Sequence, residues 1–326
     1  MSILRRWADP FMVGIVGMMI LGLVLPIPDG AVGPIQRVSD VGIFILFLLY
    51  GARLSTREVI DGMRNIRLQG SILAATFVVF PLFGWALHHA TTSLLGPGLA
   101  AGLLYVSLLP STVQSSVAFV SVARGNIAGA ICAATVSNVA GMVLTPLLVL
   151  WLMGASGSVG AGGITEVLVL LLLPFVIGQV AQRWVGPWVR RHKRLTGMWD
   201  KLTILLIVFV AVVTATAAGV WTSVSGWSIV AVGGISIVFV ALMLALTWWG
   251  GKLLGLDIPD RIALLMCGSK KSMATGLPMA SVLFTPAVAG PIAVPLIIFH
   301  QLQLMICAWL ARRLARREDD APLVSV

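Results

Sequence analysis

Charge is the first thing this sequence lacks. Only 10% of its 326 residues are Asp, Glu, Lys or Arg, while 59% are hydrophobic. So little polar surface cannot solvate a globular chain, which excludes the soluble classes and leaves an all-α polytopic membrane protein. Cysteine is scarce too: Cys132, Cys267 and Cys307 are the only three, all within apolar runs. An odd number at that depth gives no disulfide framework and no metal-ligand spacing, so no metal or other cofactor is expected. Carboxylates are the most telling shortage. All twelve lie in loops or at the ends of apolar runs, from Asp9 and Asp29 to Asp319 and Asp320. Long soluble insertions and low-complexity linkers are missing as well.

What is present is a series of about ten apolar runs, each long enough to cross the hydrocarbon. Their coarse limits are 11–26, 38–52, 67–87, 98–123, 126–152, 165–185, 201–220, 227–250, 261–284 and 289–311. The first, after Arg5 and Arg6, imitates a signal peptide. It has no small-residue cleavage site and ends in LPIPDG, so it reads as an uncleaved first span. The Gly-rich GASGSVGAGG, residues 154–163, divides the runs into two sets of five. A five-span unit repeated once must be inverted in the membrane. Residues 1–153 are therefore expected to form a first repeat, 164–314 a second, and 315–326 a cytoplasmic tail.

Charge placement agrees with that count. With the N-terminus inside, nineteen of the 22 basic residues fall in inner segments, Arg37 falls outside, and Lys270 and Lys271 lie within a run. So lopsided a split predicts cytoplasmic termini, as in a bacterial inner membrane, and makes the basic excess topogenic rather than a nucleic-acid surface. Trp85, Trp151, Trp184, Trp221, Trp227, Trp248 and Trp249 fall near the predicted span ends, where amphipathic rings favour the interface.

Two runs are broken in the middle. In the fourth, Pro110 is followed at once by Ser111, Thr112, Gln114, Ser115 and Ser116. In the ninth, Gly268, Ser269, Lys270, Lys271 and Ser272 precede Thr275, Gly276 and Pro278. Lys270 lies about 13 Å along a helix from Arg261, near mid-bilayer, and Pro110 lies at a similar depth from the other side. Unwound backbone at that depth is tolerated only where protein or a water-filled cavity surrounds it. Interrupted spans at corresponding positions of two halves point to a transporter's binding site. The fifth run adds Thr135, Ser137, Asn138 and Thr145, and the tenth adds His300, Gln301 and Gln303.

LPSTVQSSV with its mid-helix proline, TVSNVAGMVLTP in the fifth run, and the ten-span plan together resemble the bile acid:sodium symporters. The likeness covers nearly the whole chain. It is nearest to the divergent bile acid symporter-like branch, through Asp9-Pro10-Phe11 and Lys271-Ser272. The resemblance implies ten helices in two inverted five-helix repeats, with the fourth and ninth helices broken and crossing at the midplane. It also implies two sodium sites. One carries over to Ser115, Ser116 and Ser137 or Asn138. The other carries over to the segment from Cys267 to Lys271 and to Thr76, where the family has a ninth-helix glutamate and a third-helix glutamine. Here the carboxylate is gone, so sodium coupling looks compromised and coupling to protons is equally open.

The helix halves starting near Thr112 and Ser272 turn their positive N-terminal ends to the break. With two lysines beside them, the centre repels a bare cation and attracts an anion. A lysine could fill the vacated sodium position, carry a proton, pair with an anionic substrate, or simply plug a structural gap. The preferred placement puts Lys271 in the former cation position and Lys270 toward a cavity. The expectation is a secondary transporter, a symporter or an uncoupled carrier, that moves an organic anion across the bilayer by alternating access. Three rivals stand beside it. One is a non-transporting regulator of ion homeostasis, since eukaryotic members of the branch are associated with calcium regulation. The others are an anion channel and an intramembrane hydrolase using a Ser–Lys pair at Ser269 or Ser272.

Overall fold

The computed structural model describes residues 10–25, 27, 29–53, 65–154, 168–217, 219 and 225–316. All regular structure there is helical. The helices are α1 (Pro10–Val24), α2 (Asp29–Arg53), α3 (Ile66–Leu95), α4 (Pro97–Leu108), α5 (Gln114–Val122) and α6 (Ile127–Met153). They continue with α7 (Leu173–Arg191), α8 (Lys193–Ala217), α9 (Gly226–Leu253), α10 (Ile258–Gly268), α11 (Met273–Leu283) and α12 (Pro286–Ala315). Most of the connector 154–163 and nearly all of the tail lie outside the described residues.

Seven of these helices are long and apolar enough to cross a membrane unaided. The expected fourth run is α4 plus α5 and the expected ninth is α10 plus α11, so each half falls short of a full span by itself. Several helices outrun the apolar limits. α7 continues to Arg191, and α8 begins at Lys193 after a one-residue turn at His192. Helical hydrogen bonding does not stop where the hydrocarbon does, and arginine and lysine are good helix formers.

Chain direction is set by local chemistry. Asn65 caps α3 by accepting from the Leu68 N–H, and Asp257 caps α10 by accepting from the Asp260 N–H. Between α3 and α4, Gly96 takes a φ of +79° and hands over to Pro97 at the first helical position. Inside α3 the turn Ala75–Val79 widens to π-helix, and the Phe80 N–H reaches Ala75 O. In that wide register the amide that would satisfy Thr76 O belongs to Pro81, which has no N–H. A main-chain carbonyl is thereby released inside a membrane helix.

The chain divides into two compact units. One holds α1, α2, α7 and α8, with the end of α6, nearly all of α11 and the start of α12. In it α2 packs on α7 with backbone against backbone. A Cβ on Gly51 would lie 2.1 Å from the Phe175 carbonyl, and one on Gly178 would lie 2.1 Å from the Leu48 carbonyl. Small residues at such crossings replace the hydrophobic drive that lipid removes. The other unit holds α3, α4, α5, α6 through Thr145, α9, α10 with the turn after it, and α12 from Pro295. Its centre carries three mutually edge-on rings, Phe80, Phe239 and Phe299, with centroids 5.0–6.2 Å apart. Both units draw helices from both expected sequence halves, and the second contains both breaks.

Candidate functional site

A broken helix inside a protein must find partners for its freed backbone groups, and here nearly all of those partners can be named. α4 stops at Leu108. The Leu108 carbonyl accepts from Thr145 Oγ1 at 2.8 Å, and the Leu109 carbonyl accepts from Lys271 Nζ at 2.7 Å. The Pro110 carbonyl accepts from the Ser272 N–H at 2.9 Å, and the Ser111 carbonyl accepts from Asn138 Nδ2 at 2.8 Å. On the α10 side, Leu265 O accepts from Ser269 Oγ, Met266 O from Ser116 Oγ at 3.1 Å, and Cys267 O from Ser111 Oγ at 2.6 Å. The two breaks therefore bind each other directly. Gly141 makes room for this, since a Cβ there would lie 2.6 Å from Pro110 Cβ. Gly268 does the same against α3, where a Cβ would lie 3.1 Å from that of Ala75.

The central residue of each break is held alike. Ser111 donates its N–H to Ser137 Oγ at 3.0 Å, and its carbonyl takes Asn138. Lys271 donates its N–H to Gln303 Oε1 at 2.8 Å, and its carbonyl takes Gln303 Nε2 at 2.7 Å. In both cases the side chains come from the next long helix, α6 or α12. One amide in the second break does the work of a hydroxyl and an amide in the first. His300 completes that corner. Gln303 Nε2 donates to Lys271 O and lies 2.8 Å from His300 Nδ1, which itself lies 3.3 Å from the same carbonyl.

Both lysine side chains are fully buried, and they meet different surroundings. The Lys271 ammonium donates to Thr76 O at 2.8 Å and Leu109 O at 2.7 Å, and it stands 4.2 Å from the centre of the Phe80 ring. Its three hydrogens thus face two released carbonyls and an aromatic face. One of those carbonyls closes the C-terminal, negative end of α4, where a cation is favoured. The sequence pattern directs attention to positive helix ends. The structure adds that a broken helix also exposes a negative one, and Lys271 occupies it.

Lys270 takes the other side of the break. Its Nζ donates to Ser115 Oγ at 3.3 Å and lies 4.4 Å from the centre of the Phe119 ring. Ser115 donates to Thr112 Oγ1 at 2.8 Å, Thr112 and Ser116 are 2.8 Å apart, and Ser116 donates to Met266 O. Since the Ser116 hydrogen is committed, Thr112 donates to Ser116. Three hydroxyls therefore form a one-way chain that runs from the Lys270 ammonium through Ser115, Thr112 and Ser116 to the Met266 carbonyl, with Ser115 Oγ the oxygen that meets the cation. Gln114, in contrast, is exposed at the start of α5, and Ser115 is half-buried.

Among the sequence candidates, Ser115 meets Lys270 and is linked onward to Thr112 and Ser116, while Thr76 and His300 join Lys271. Ser137 and Asn138 serve the backbone of Ser111. Ser269 bonds its own helix, Ser272 uses its amide on Pro110, and Gln114 projects outward. Thr76 contributes its carbonyl; its hydroxyl has no partner among the described residues. Gln303 and Phe80 were not singled out as site residues. The signals for them were an amide at lipid depth and the FP pair at 80–81, which frees a carbonyl. Among the described residues the one salt bridge joins Arg53 to Asp200, so no carboxylate pairs with either lysine.

Two helix breaks bound to each other around two buried lysines thus lie within a chain that has, among its described residues, seven helices long and apolar enough to cross a membrane. The family model of the SBF-like CPA transporter family matches residues 9–316, and the chain belongs to that family, within the bile acid:sodium symporter superfamily. It is 43% identical over 323 residues to the uncharacterized protein PA2026 of Pseudomonas aeruginosa, covering 98% of this chain and 97% of that one. It is 38% identical over 320 residues to YfeH of Escherichia coli K12, provisionally named a symporter, covering 97% and 96%. It is 27% identical over 311 residues to sodium/bile acid cotransporter 7 of Xenopus tropicalis, covering 93% and 89%. The chain is thus an integral membrane transporter and not an enzyme, which sets aside the hydrolase reading of Ser269 and Ser272.

Proposed function

We propose that the protein is a secondary transporter of an organic anion, working by alternating access, in which the ammonium groups of Lys270 and Lys271 stand where related symporters hold sodium. The observation that carries this reading is the pair of fully buried lysines without a carboxylate partner among the described residues. Lys270 meets the serine implied for one sodium position, and Lys271 meets the residue implied for the other. Two fixed cations leave the centre two positive charges to the good, and an anionic substrate offsets that excess where sodium would add to it. The positive N-terminal end of α5, with Lys270 beside it, favours an anion on that side of the break.

On this reading the chain crosses a bacterial inner membrane ten times as two inverted five-helix repeats, with both termini cytoplasmic. Support comes from the lopsided charge distribution and from the like treatment of Ser111 and Lys271. Because both lysines are sealed from solvent in this structure, substrate reaches Lys270 only after a conformational opening beside Ser115.

Thermal unfolding of purified protein across a sodium series at constant ionic strength tests the proposal, on wild type and Lys271→Glu. Indifference of the wild type, together with saturable sodium stabilisation of Lys271→Glu, is the expected pair of results. Saturable stabilisation of the wild type by sodium sinks the proposal, because a cation site then persists beside the lysines.

A further inference from the structure

The corner between α7 and α8 carries more positive charge than orientation in the membrane requires, and it carries that charge in an organised form. Arg183, Arg190, Arg191, Lys193 and Arg194 are all exposed within one stretch of twelve residues. No described carboxylate pairs with any of them; the nearby Asp200 is engaged by Arg53. Indole rings are interleaved with the charges. Arg183 lies 3.9 Å from the centre of the Trp184 ring, and His192 stacks on Trp188 at 4.5 Å with planes 27° apart. Trp184 is 63% and Trp188 49% exposed, and Leu195, Met198 and Leu202 are exposed on α8.

One of the cations is also placed. Gly186 presents bare backbone on which the Arg190 guanidinium rests, so close that a Cβ there would come within 2.8 Å of Nη1. Topogenesis needs only a count of basic residues near a span end. It needs neither a guanidinium seated on a glycine nor indoles set among the charges.

We infer that the α7–α8 corner binds the head groups of anionic phospholipids. The arginines and lysine would take the phosphate oxygens, while Trp184, Trp188 and the neighbouring apolar side chains enter the interfacial layer around the acyl chains. The occupant is a lipid rather than free phosphate, because exposed indoles are interleaved along the chain with the charges, Arg183 lies against the Trp184 ring, and a soluble anion would leave those rings in water.

The test uses the full-length protein in nanodiscs of phosphatidylcholine alone or with one-fifth phosphatidylglycerol or cardiolipin by moles. Thermal midpoints and co-purifying lipid, counted by native mass spectrometry, are read for wild type and for the triple variant Arg190→Gln/Arg191→Gln/Arg194→Gln. The wild type is expected to retain anionic lipid selectively, to unfold at a higher temperature with it, and to lose that gain as salt rises. The triple variant is expected to show a preference roughly tenfold weaker or less, while matching the wild type in phosphatidylcholine alone. Equal retention of both lipid classes by the wild type overturns the inference, as does an unaltered preference in the variant. So does the same stabilisation by inorganic phosphate or by soluble polyglutamate, which assigns the corner to a free anion or to an acidic protein. A second variant, Gly186→Ala, displaces the Arg190 guanidinium without changing charge, and because its Cβ would also lie 3.1 Å from the Ala52 carbonyl its midpoint in phosphatidylcholine alone must match wild type. It is expected to weaken selectivity, and a full effect from charge removal with none from Gly186→Ala reduces the corner to topogenic charge and overturns the built site.

Discussion

Gln303 holds Lys271 by its backbone, with Oε1 accepting from the N–H at 2.8 Å and Nε2 donating to the carbonyl at 2.7 Å. A side-chain amide used this way stands in for the helical neighbours that the break removed. Gln303→Leu leaves the Lys271 N–H buried and unpaired and its carbonyl with only His300 Nδ1 at 3.3 Å, at a cost of about 1–3 kcal/mol. The expected outcome is a large fall in the thermal midpoint in detergent. A variant within a degree of wild type would mean that the break is satisfied some other way.

Lys271 itself carries structure as well as charge. Lys271→Met keeps the length of the side chain but strips Thr76 O and Leu109 O of their donor. We expect transport to be abolished and stability to fall by about 2–4 kcal/mol, measured by uptake into proteoliposomes and by chemical denaturation. Unchanged uptake would remove this lysine from the mechanism.

Lys270 separates the two roles. It makes one long hydrogen bond, at 3.3 Å to Ser115, and one ring contact. Lys270→Met is expected to unfold within about 1 kcal/mol of wild type while losing uptake. Loss of stability as large as that of Lys271→Met would mark Lys270 as a second clamp.

At Thr76 the carbonyl binds, not the hydroxyl, which is buried without a partner among the described residues. Thr76→Val should therefore keep transport and leave stability unchanged or slightly higher, because an unsatisfied polar atom is removed. A sodium-sensitive or inactive Thr76→Val would restore the side chain to the site.

One end of the second unit is tied by a single carboxylate. Asp260 accepts from Asn65 Nδ2 at 2.7 Å and Asn126 Nδ2 at 2.6 Å, while the two asparagine oxygens accept from the Leu68 and Gly129 amides in the first turns of α3 and α6. Asp260→Ala is expected to cost about 1–3 kcal/mol, since both caps lose their anchor. Asp260→Asn, which can still accept one bond, should cost less. Equal midpoints for the two variants would show that the caps stand without it.

Much of this arrangement is legible in the sequence, and the reasons are local. Apolar run length marks the spans, because lipid admits only chain that satisfies its own backbone. Pro110 and Gly268 mark the breaks, because a missing N–H and a missing side chain both weaken a helix. The two lysines stand out because charge at lipid depth is costly. Helix ends are less legible: α7 and α8 run through charged residues to within one residue of each other, and nothing in hydropathy requires them to stop.

The sequence by itself determined that this is a membrane protein with two interrupted helices and two lysines at the second interruption. It also determined that all twelve carboxylates fall in loops or at the ends of the apolar runs. The tertiary structure alone decided which acceptor each lysine meets. Adjacent residues at a broken helix point to opposite sides, so Lys271 turns to the carbonyls released by α4 and by the Pro81 bulge in α3, and Lys270 turns to the hydroxyls that open α5. The hydroxyls and amides that spacing offers as ion ligands largely satisfy the backbone first. Which groups remain for an ion or a substrate depends on which carbonyls are free, and that depends on contacts between segments more than a hundred residues apart.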